Sequence, residues 1–240
     1  MHSSAALPSE IQQALARGWT VLTANQRAAR TLRHAFDLAQ RDRAAANWQP
    51  PAILAWDSWL ASLWRRLLLE GQARELLLSP IQEHTVWRAV IAADSPISLR
   101  SPDSLADTAA SAWLLLHAYR ARTRLSNFAG GSSDTRVFAR WAAEFERRCT
   151  RAQYLTEVQL PERLRAAFAS GHLSPPAGLL LVGFDFRTPA QNALLDAATA
   201  AGTHLAEMPA VPPAPSLTLA LAPGEYDEFT ACARWLRARL

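Results

Sequence analysis

An unbroken apolar run from Leu179 to Phe184 determines the fold class. A strand without a polar position is expected to be buried on both faces, which is typical of a parallel sheet covered by helices on both sides. The run is far shorter than the roughly 18 residues of a membrane span. Similar short β-prone runs occur at four other places, namely Trp19–Thr23, Pro51–Trp56, Thr203–Met208 and Leu217–Leu221.

Helix-start signals separate these strands. Four segments place a hydroxyl residue three positions before glutamine, the pattern of a reciprocal capping box: Ser9–Gln12, Ser79–Gln82, Thr156–Gln159 and Thr188–Gln191. Asn25 and Asp57 follow two of the predicted strands, and we expect each to cap a helix. Four glycines lie where helices are expected to end: Gly18, Gly71, Gly171 and Gly202.

The spacing of strands and helices predicts an α/β protein with a mainly parallel sheet. From about Leu67 to Gly171 only helical periods occur, so residues 67–171 are expected to form an all-helical insertion. The α/β domain is then discontinuous and comprises residues 1–66 plus 172–240. The last segment, Glu225–Leu240, has the pattern of an amphipathic helix with neither a cap nor a breaker at its end. We therefore expect the parent protein to continue beyond residue 240.

Composition excludes several kinds of catalytic site. The chain contains no lysine, so all 25 basic residues are arginine, and the net charge is +4. A Walker A lysine, a Schiff-base lysine and the lysine of a PD-(D/E)XK nuclease are therefore excluded within these residues. The six histidines form no metal-binding pair, and Cys149 and Cys232 are isolated. We expect no catalytic site, no metal and no cofactor, a cytoplasmic location and no membrane partner; the basic balance favours nucleic acid.

The segment T-V-L-T-A-N-Q-R-A-A-R-T-L, residues 20–32, predicts a strand, a loop and a helix. In a P-loop NTPase this is the place of the phosphate cradle. Here Asn25, Gln26 and Arg27 occupy positions that would need glycine for close approach of the backbone to phosphate. The nucleotide motif is therefore degenerate.

The segment L-L-L-V-G-F-D-F-R-T-P-A-Q, residues 179–191, resembles a Walker B strand. In that motif an aspartate at the strand end holds Mg²⁺ and the next acidic residue positions water. Here Val182 and Gly183 end the apolar run, and the displaced Asp185 is followed by Phe186. A single displaced carboxylate predicts neither a metal site nor a catalytic water.

Together these segments resemble the N-terminal region of AddB-type and RecB-type helicase–nuclease proteins, in particular a bacterial group of DNA repair proteins with a PD-(D/E)XK nuclease domain. A P-x-I-x-x-W-x-x-W-L segment between them, Pro51 to Leu60, matches that family as well. The resemblance implies a P-loop NTPase-like fold of the superfamily 1 helicase 1A type, with residues 67–171 as a 1B-type insertion. It implies no ATP hydrolysis, because both nucleotide motifs are eroded, and a nuclease domain beyond residue 240.

The resemblance and the charge pattern suggest several DNA contacts. Arg27, Arg30 and Arg33 follow the degenerate loop at helical spacing, where they are either phosphate contacts or a solvated helix face. Trp56 and Trp59 follow the second strand, where they either stack on bases or belong to the core. Further candidates are the arginines concentrated in the helical insertion: Arg120, Arg122, Arg124, Arg140, Arg147 and Arg148, with Arg136 and Arg151 beside them.

Three functions remain open on the sequence alone. The first is an ATPase-inactive, helicase-like DNA-binding module of a repair exonuclease acting in double-strand break repair and recombination, with single-stranded DNA or duplex ends as its partner. The second is a protein-interaction scaffold that docks a helicase subunit or the parent's own nuclease domain and binds little DNA. The third is a nucleotide binder that uses unusual residues.

Overall fold

The computed structural model describes residues 7–94, 102–125, 131–208 and 221–238. The chain divides into two compact units, Met1–Met208 and Pro209–Leu240. The first unit contains a four-stranded, entirely parallel sheet with the strand order β2-β1-β5-β6. Its strands are β1 (Thr20–Thr23), β2 (Ile53–Ala55), β5 (Gly178–Val182) and β6 (His204–Glu207). The prediction of an α/β protein with a parallel sheet is therefore confirmed.

Helices cover both faces of this sheet. On one face, α1 (Ser9–Ala16) and α2 (Gln26–Asp42) pack over apolar side chains such as Val21 and Leu180. On the other face, α3 (Trp56–Leu69), α7 (Leu160–Ala169) and α8 (Pro189–Ala200) pack over neighbours of those residues such as Leu22 and Leu181. Successive side chains of a strand point to opposite faces, so an unbroken apolar strand is what a sheet covered on both sides needs.

The segment between α3 and β5 is predominantly helical. Its long helices are α4 (Pro80–Asp94), α5 (Pro102–Ala118) and α6 (Ser133–Ala152). They share a core of stacked and edge-on aromatic rings, in which Trp87 and Phe145 lie parallel with ring centroids 3.8 Å apart. Trp113 meets both rings edge-on.

The expectation that residues 67–171 contain only helices is wrong. Two short strands, β3 (Leu76–Leu77) and β4 (Tyr154–Leu155), pair in parallel within that segment. A strand of two residues is too short to produce an alternating pattern, so the sequence carries no periodic signal for it. The pairing depends on chain segments that lie far apart in sequence and meet only in the fold.

Most of the predicted helix starts are confirmed. The boxes Ser79–Gln82 and Thr188–Gln191 both show the reciprocal pair of hydrogen bonds. At Thr156–Gln159 the glutamine Oε1 accepts from the threonine backbone N–H at 3.0 Å, at the start of a single 3₁₀ turn that leads into α7. Gly18, Gly71, Gly171 and Gly202 follow helices with positive φ, as expected of helix ends.

Two predicted caps are wrong. The N-cap of α1 is Pro8, and Ser9 Oγ donates to Glu10 instead, because the helix begins one residue earlier than the box requires. Asp57 lies inside the first turn of α3, whose N-cap is Ala55, so β2 passes directly into the helix without a loop.

The second unit contains α9 (Glu225–Arg237), and the predicted helix from Glu225 is confirmed over that range. The strand predicted at Leu217–Leu221 falls outside the described residues except for its last residue, which is not in a strand. In the described ranges, no helix is both long enough and apolar enough to cross a membrane.

The crevice at the sheet edge and the arginine surfaces

The carboxyl ends of β1 and β5 lie side by side at the centre of the sheet. From β1 the chain crosses through α2 to β2 on one side, whereas from β5 it crosses through α8 to β6 on the other side. The strand order therefore reverses between β1 and β5, and in open α/β sheets ligands bind in the crevice outside such a reversal. The two segments that resemble nucleotide motifs, residues 20–32 and 179–191, both meet this crevice.

The first wall of the crevice is the turn from β1 into α2. Asn25 caps α2, and its Oδ1 accepts a hydrogen bond from Ala28 N at 2.9 Å. The buried Thr23 donates through Oγ1 to the carbonyl oxygen of Asn25 at 2.9 Å, which fixes the turn from inside. The Gln26 amide donates to Ser58 Oγ at 2.6 Å and ties the turn to α3. These contacts hold a tight, side-chain-filled turn where a phosphate loop would be open.

The second wall is the turn after β5. The carbonyl oxygen of Val182 accepts from Ala24 N at 3.2 Å, and Gly183 adopts a positive φ of 71°. Phe184 packs edge-on against Trp56, with ring centroids 6.1 Å apart, whereas Asp185 is exposed. No group of three or more His, Cys, Asp or Glu side chains within the described ranges could hold a metal ion.

The crevice has the position of a ligand site in open α/β sheets, and its first turn lacks the residues of a phosphate loop. One amide of the α2 amino terminus is occupied by the Asn25 side chain, and residues 24–27 contain neither glycine nor lysine. A phosphate at a helix amino terminus needs free backbone N–H groups and close approach of the backbone. Asn25, Gln26 and Arg27 lie in the turn after β1 and Asp185 lies in the turn after β5, so the fold brings the two predicted motif segments together at one crevice.

The arginines of α2 differ in exposure. Arg27 and Arg30 are exposed, and no ion pair involves either of them among the described residues. Arg33 is half-buried and donates through Nε to the Ala29 carbonyl oxygen at 3.2 Å. Of the three predicted contacts, two are therefore available to an external anion in the first two turns of the helix.

Most of the predicted arginines of the helical segment take part in ion pairs. Arg140 pairs with Asp94 at 2.9 Å, and Arg122 pairs with Glu146. Arg147 and Arg148 both pair with Glu144, and these guanidinium groups hold the pKa of the Glu144 carboxyl below its ordinary value. Arg120 and Arg124 are exposed near the end of α5. The structure thus brings the set to one part of the molecule and neutralises part of its charge.

The helix α6 carries a regular row of arginines, which we call the α6 arginine row. Its members are Arg136, Arg140, Arg147 and Arg151, all exposed. Their spacing of four, seven and four residues places them within about 60° of one side of the helix, over about 22 Å of its length. Arg136 and Arg151 enter no ion pair within the described parts of the chain. Helical spacing could have identified the row from the sequence, where these two residues appeared only as neighbours of the candidates.

The interpretation of Trp56 and Trp59 as base-stacking residues requires correction. Both side chains are buried, at 5% and 3% exposure, and their rings contact each other with centroids 5.4 Å apart. A base can stack only on an exposed ring face, so these tryptophans act as core residues between α3 and the sheet. Because α3 begins at Trp56 itself, both positions turn inward from the first helical turn.

Fold and crevice together define an α/β protein built on a small parallel sheet, with helices on both faces and a reversal of strand order at its centre. No protein-family model matches the chain. The search of curated proteins gives no match either.

Proposed function

We propose that this chain is an ATPase-inactive, helicase-like module that binds nucleic acid within a bacterial DNA repair exonuclease of the cytoplasm. The strand, turn and helix at Thr20–Asp42 support a P-loop-like ancestry. They lie beside the carboxyl end of β5, at the point where the strand order reverses. The support for an inactive site is the side-chain cap of Asn25 in place of a phosphate cradle.

The observation that carries the proposal is the α6 arginine row. Guanidinium groups bind phosphate through two hydrogen bonds each, and exposed arginines on one side of a helix can follow a polyanion. Two carboxylates, Asp94 and Glu144, pair with members of the row, and the remaining arginines keep a positive surplus. At 3.4 Å per step, a row of about 22 Å extends along about six nucleotide steps of a duplex strand.

A fluorescence-anisotropy titration with labelled single-stranded and forked DNA, at two salt concentrations, tests the proposal. We expect salt-sensitive binding that ATP does not change when the Mg²⁺ concentration and the ionic strength are held constant. The double variant Arg136→Gln/Arg151→Gln removes two charges without leaving a carboxylate unpaired. Its salt slope on single-stranded DNA should fall by about 1.4, because each lost phosphate contact lowers the slope by about 0.7.

A matched control is Arg17→Gln/Arg41→Gln, which removes the same charge from two exposed arginines outside the row that enter no ion pair among the described residues. The proposal predicts that this control keeps the wild-type salt slope. Equal weakening by both double variants would mean that only net charge matters. Absence of binding at low salt would overturn the proposal for this chain.

A further inference from the structure

A second surface of the first unit has the opposite character from the arginine row. It is an open groove of about 550 Å³ between α3, α4, α5, the 3₁₀ turn at Glu157–Gln159 and the start of α8. Its lining includes apolar residues, which we call the floor, namely Leu60, Leu114, Val158 and Pro161. Leu114 is 49% exposed, so the floor is open to a partner. We call this surface the acidic groove because carboxylates, which we call its rim, line it together with these apolar residues.

Three of these carboxylates come from three different elements: Asp57 of α3, Glu83 of α4 and Glu157 of the 3₁₀ turn. No ion pair involves any of the three in the part of the chain that the structure describes. Glu83 accepts one neutral hydrogen bond from Trp87 Nε1 at 3.4 Å. A fourth carboxylate of the lining, Asp107 of α5, is 3.4 Å from Nε2 of His84, which follows Glu83 on α4.

The rim carboxylates repel one another. Burial raises the pKa of Asp57, Glu83 and Glu157 above the ordinary values, and the negative charge of Asp57 raises the pKa of Glu157 further. Glu157 acts on Glu83 in the same direction, while the Trp87 hydrogen bond opposes the rise. A cation delivered into the groove would relieve this repulsion.

The chemistry of the groove excludes several occupants. The groove repels nucleic acid, because its carboxylates and the phosphate groups carry charge of the same sign. A single metal ion lacks ligands, since no set of three donors converges within the described ranges. A fitting occupant combines positive charge with apolar surface, to match the rim and the floor together.

From this match of charge and apolar surface we propose that the acidic groove docks a basic, amphipathic segment of a partner protein. An arginine or lysine of the segment lies between the rim carboxylates, and its apolar side chains cover Leu114 and Val158. The volume accommodates several side chains rather than a whole domain. This inference does not depend on the nucleic-acid proposal, which concerns a different surface.

The test uses a labelled, helix-forming peptide of leucine, alanine and arginine, about 15 residues long, and the same peptide with glutamate in place of arginine. Anisotropy on the full chain should show saturable binding of the basic peptide and none of the acidic one. The variant Asp57→Asn/Glu83→Gln/Glu157→Gln should bind the basic peptide at least about 10-fold more weakly, since three desolvated charge contacts are lost. Replacing the exposed floor residue, Leu114→Ser, should weaken binding without removing charge.

The matched control is Glu10→Gln/Asp42→Asn/Asp196→Asn, which neutralises three exposed carboxylates outside the groove. It should bind the basic peptide as the wild type does. Equal weakening by the control and the groove variant overturns the proposal, as does absence of binding by the basic peptide. Displacement of the peptide by spermine at equal concentration also overturns it, because the groove would then be a site for cations alone.

The groove variant relieves repulsion between partly buried charges, so its melting temperature should not fall. If it nevertheless fails to fold, the single variant Leu114→Ser decides the question. Unchanged peptide affinity of that variant would then overturn the proposal.

Discussion

Asn25 Oδ1 accepts a hydrogen bond from Ala28 N at 2.9 Å, at the point where the central strand β1 passes into α2. The first amides of a helix point out of its end and attract anions. At this crevice one of them is already bonded to an uncharged side chain of the same turn. The Asn25 side chain therefore satisfies one of these amides and stabilises the start of α2.

Replacing this cap should destabilise the fold. Asn25→Ala removes the acceptor for Ala28 N and should lower the free energy of unfolding by about 1 kcal/mol. Urea denaturation measures the change. The control is Asn47→Ala, an exposed asparagine outside any helix, which should change stability by less than about 0.5 kcal/mol. Equal stability of both variants would contradict a capping role.

ATP with Mg²⁺ should leave the melting temperature unchanged. The crevice offers an occupied helix amide, no lysine and one exposed carboxylate, Asp185. The exposed Arg27 is a single cation without the backbone cradle and the second acidic residue that bind a triphosphate and its metal in a P-loop site. A nucleotide present at 100 times its dissociation constant would stabilise the native state by about 2.7 kcal/mol. A thermal scan detects such an effect easily. A reproducible rise that requires both ATP and Mg²⁺ would support the third hypothesis, a nucleotide binder with unusual residues.

Truncation of Trp59 should affect folding rather than a DNA contact. The side chain is 3% exposed and packs against Trp56, so Trp59→Ala should lower the free energy of unfolding by about 3 to 5 kcal/mol. The control Phe186→Ala removes a ring that is 68% exposed and should change stability by less than about 0.5 kcal/mol. A Trp59→Ala variant with wild-type stability and weakened DNA binding would restore the stacking hypothesis.

The features that the sequence predicted well are local. The apolar run ending at Val182 requires cover on both faces, and the box of Thr188 with Gln191 places the start of α8 within one turn. The apolar strand and the capping box each occupy only a few consecutive residues, and the interactions that they predict involve those same residues. Short crossovers between parallel neighbours account for the pairs β1–β2 and β5–β6, whereas the pairing of β1 with β5 joins distant parts of the chain and was not predicted.

The features that the sequence missed depend on tertiary contacts. Pairing of Leu76 with Tyr154 joins residues that are distant in the chain. The acidic groove combines carboxylates of three elements, and each of them is an ordinary exposed-helix residue when considered alone. The orientation of Trp56 depends on α3 beginning without a loop, a boundary that differs by two residues from the predicted cap at Asp57.

His117, on α5, has an environment that favours its neutral form. Its ring meets Trp113 edge-on with centroids 4.4 Å apart, and its Nε2 has no hydrogen-bond partner among the described residues. The pKa of His117 is lowered from 6.5 to about 4, chiefly by burial and also by the positive charge of Arg122, while the negative charge of Glu162 opposes the shift. The unfolded chain therefore binds a proton more readily than the native one between these two pH values.

The stability contributed by neutral His117 should be complete above pH 6.5 and should be lost as the pH falls towards about 4. Over that range the wild type should lose about 3 kcal/mol more of its unfolding free energy than His117→Leu, since one pKa unit corresponds to about 1.4 kcal/mol. Urea denaturation at several pH values measures the difference. The carboxylates of the acidic groove, whose pKa values are raised, contribute equally to the pH dependence of both proteins and cancel in the comparison. The exposed His34, changed to leucine, should retain the wild-type pH profile. Parallel profiles for His117→Leu and the wild type would show that His117 is protonated in the native state without penalty.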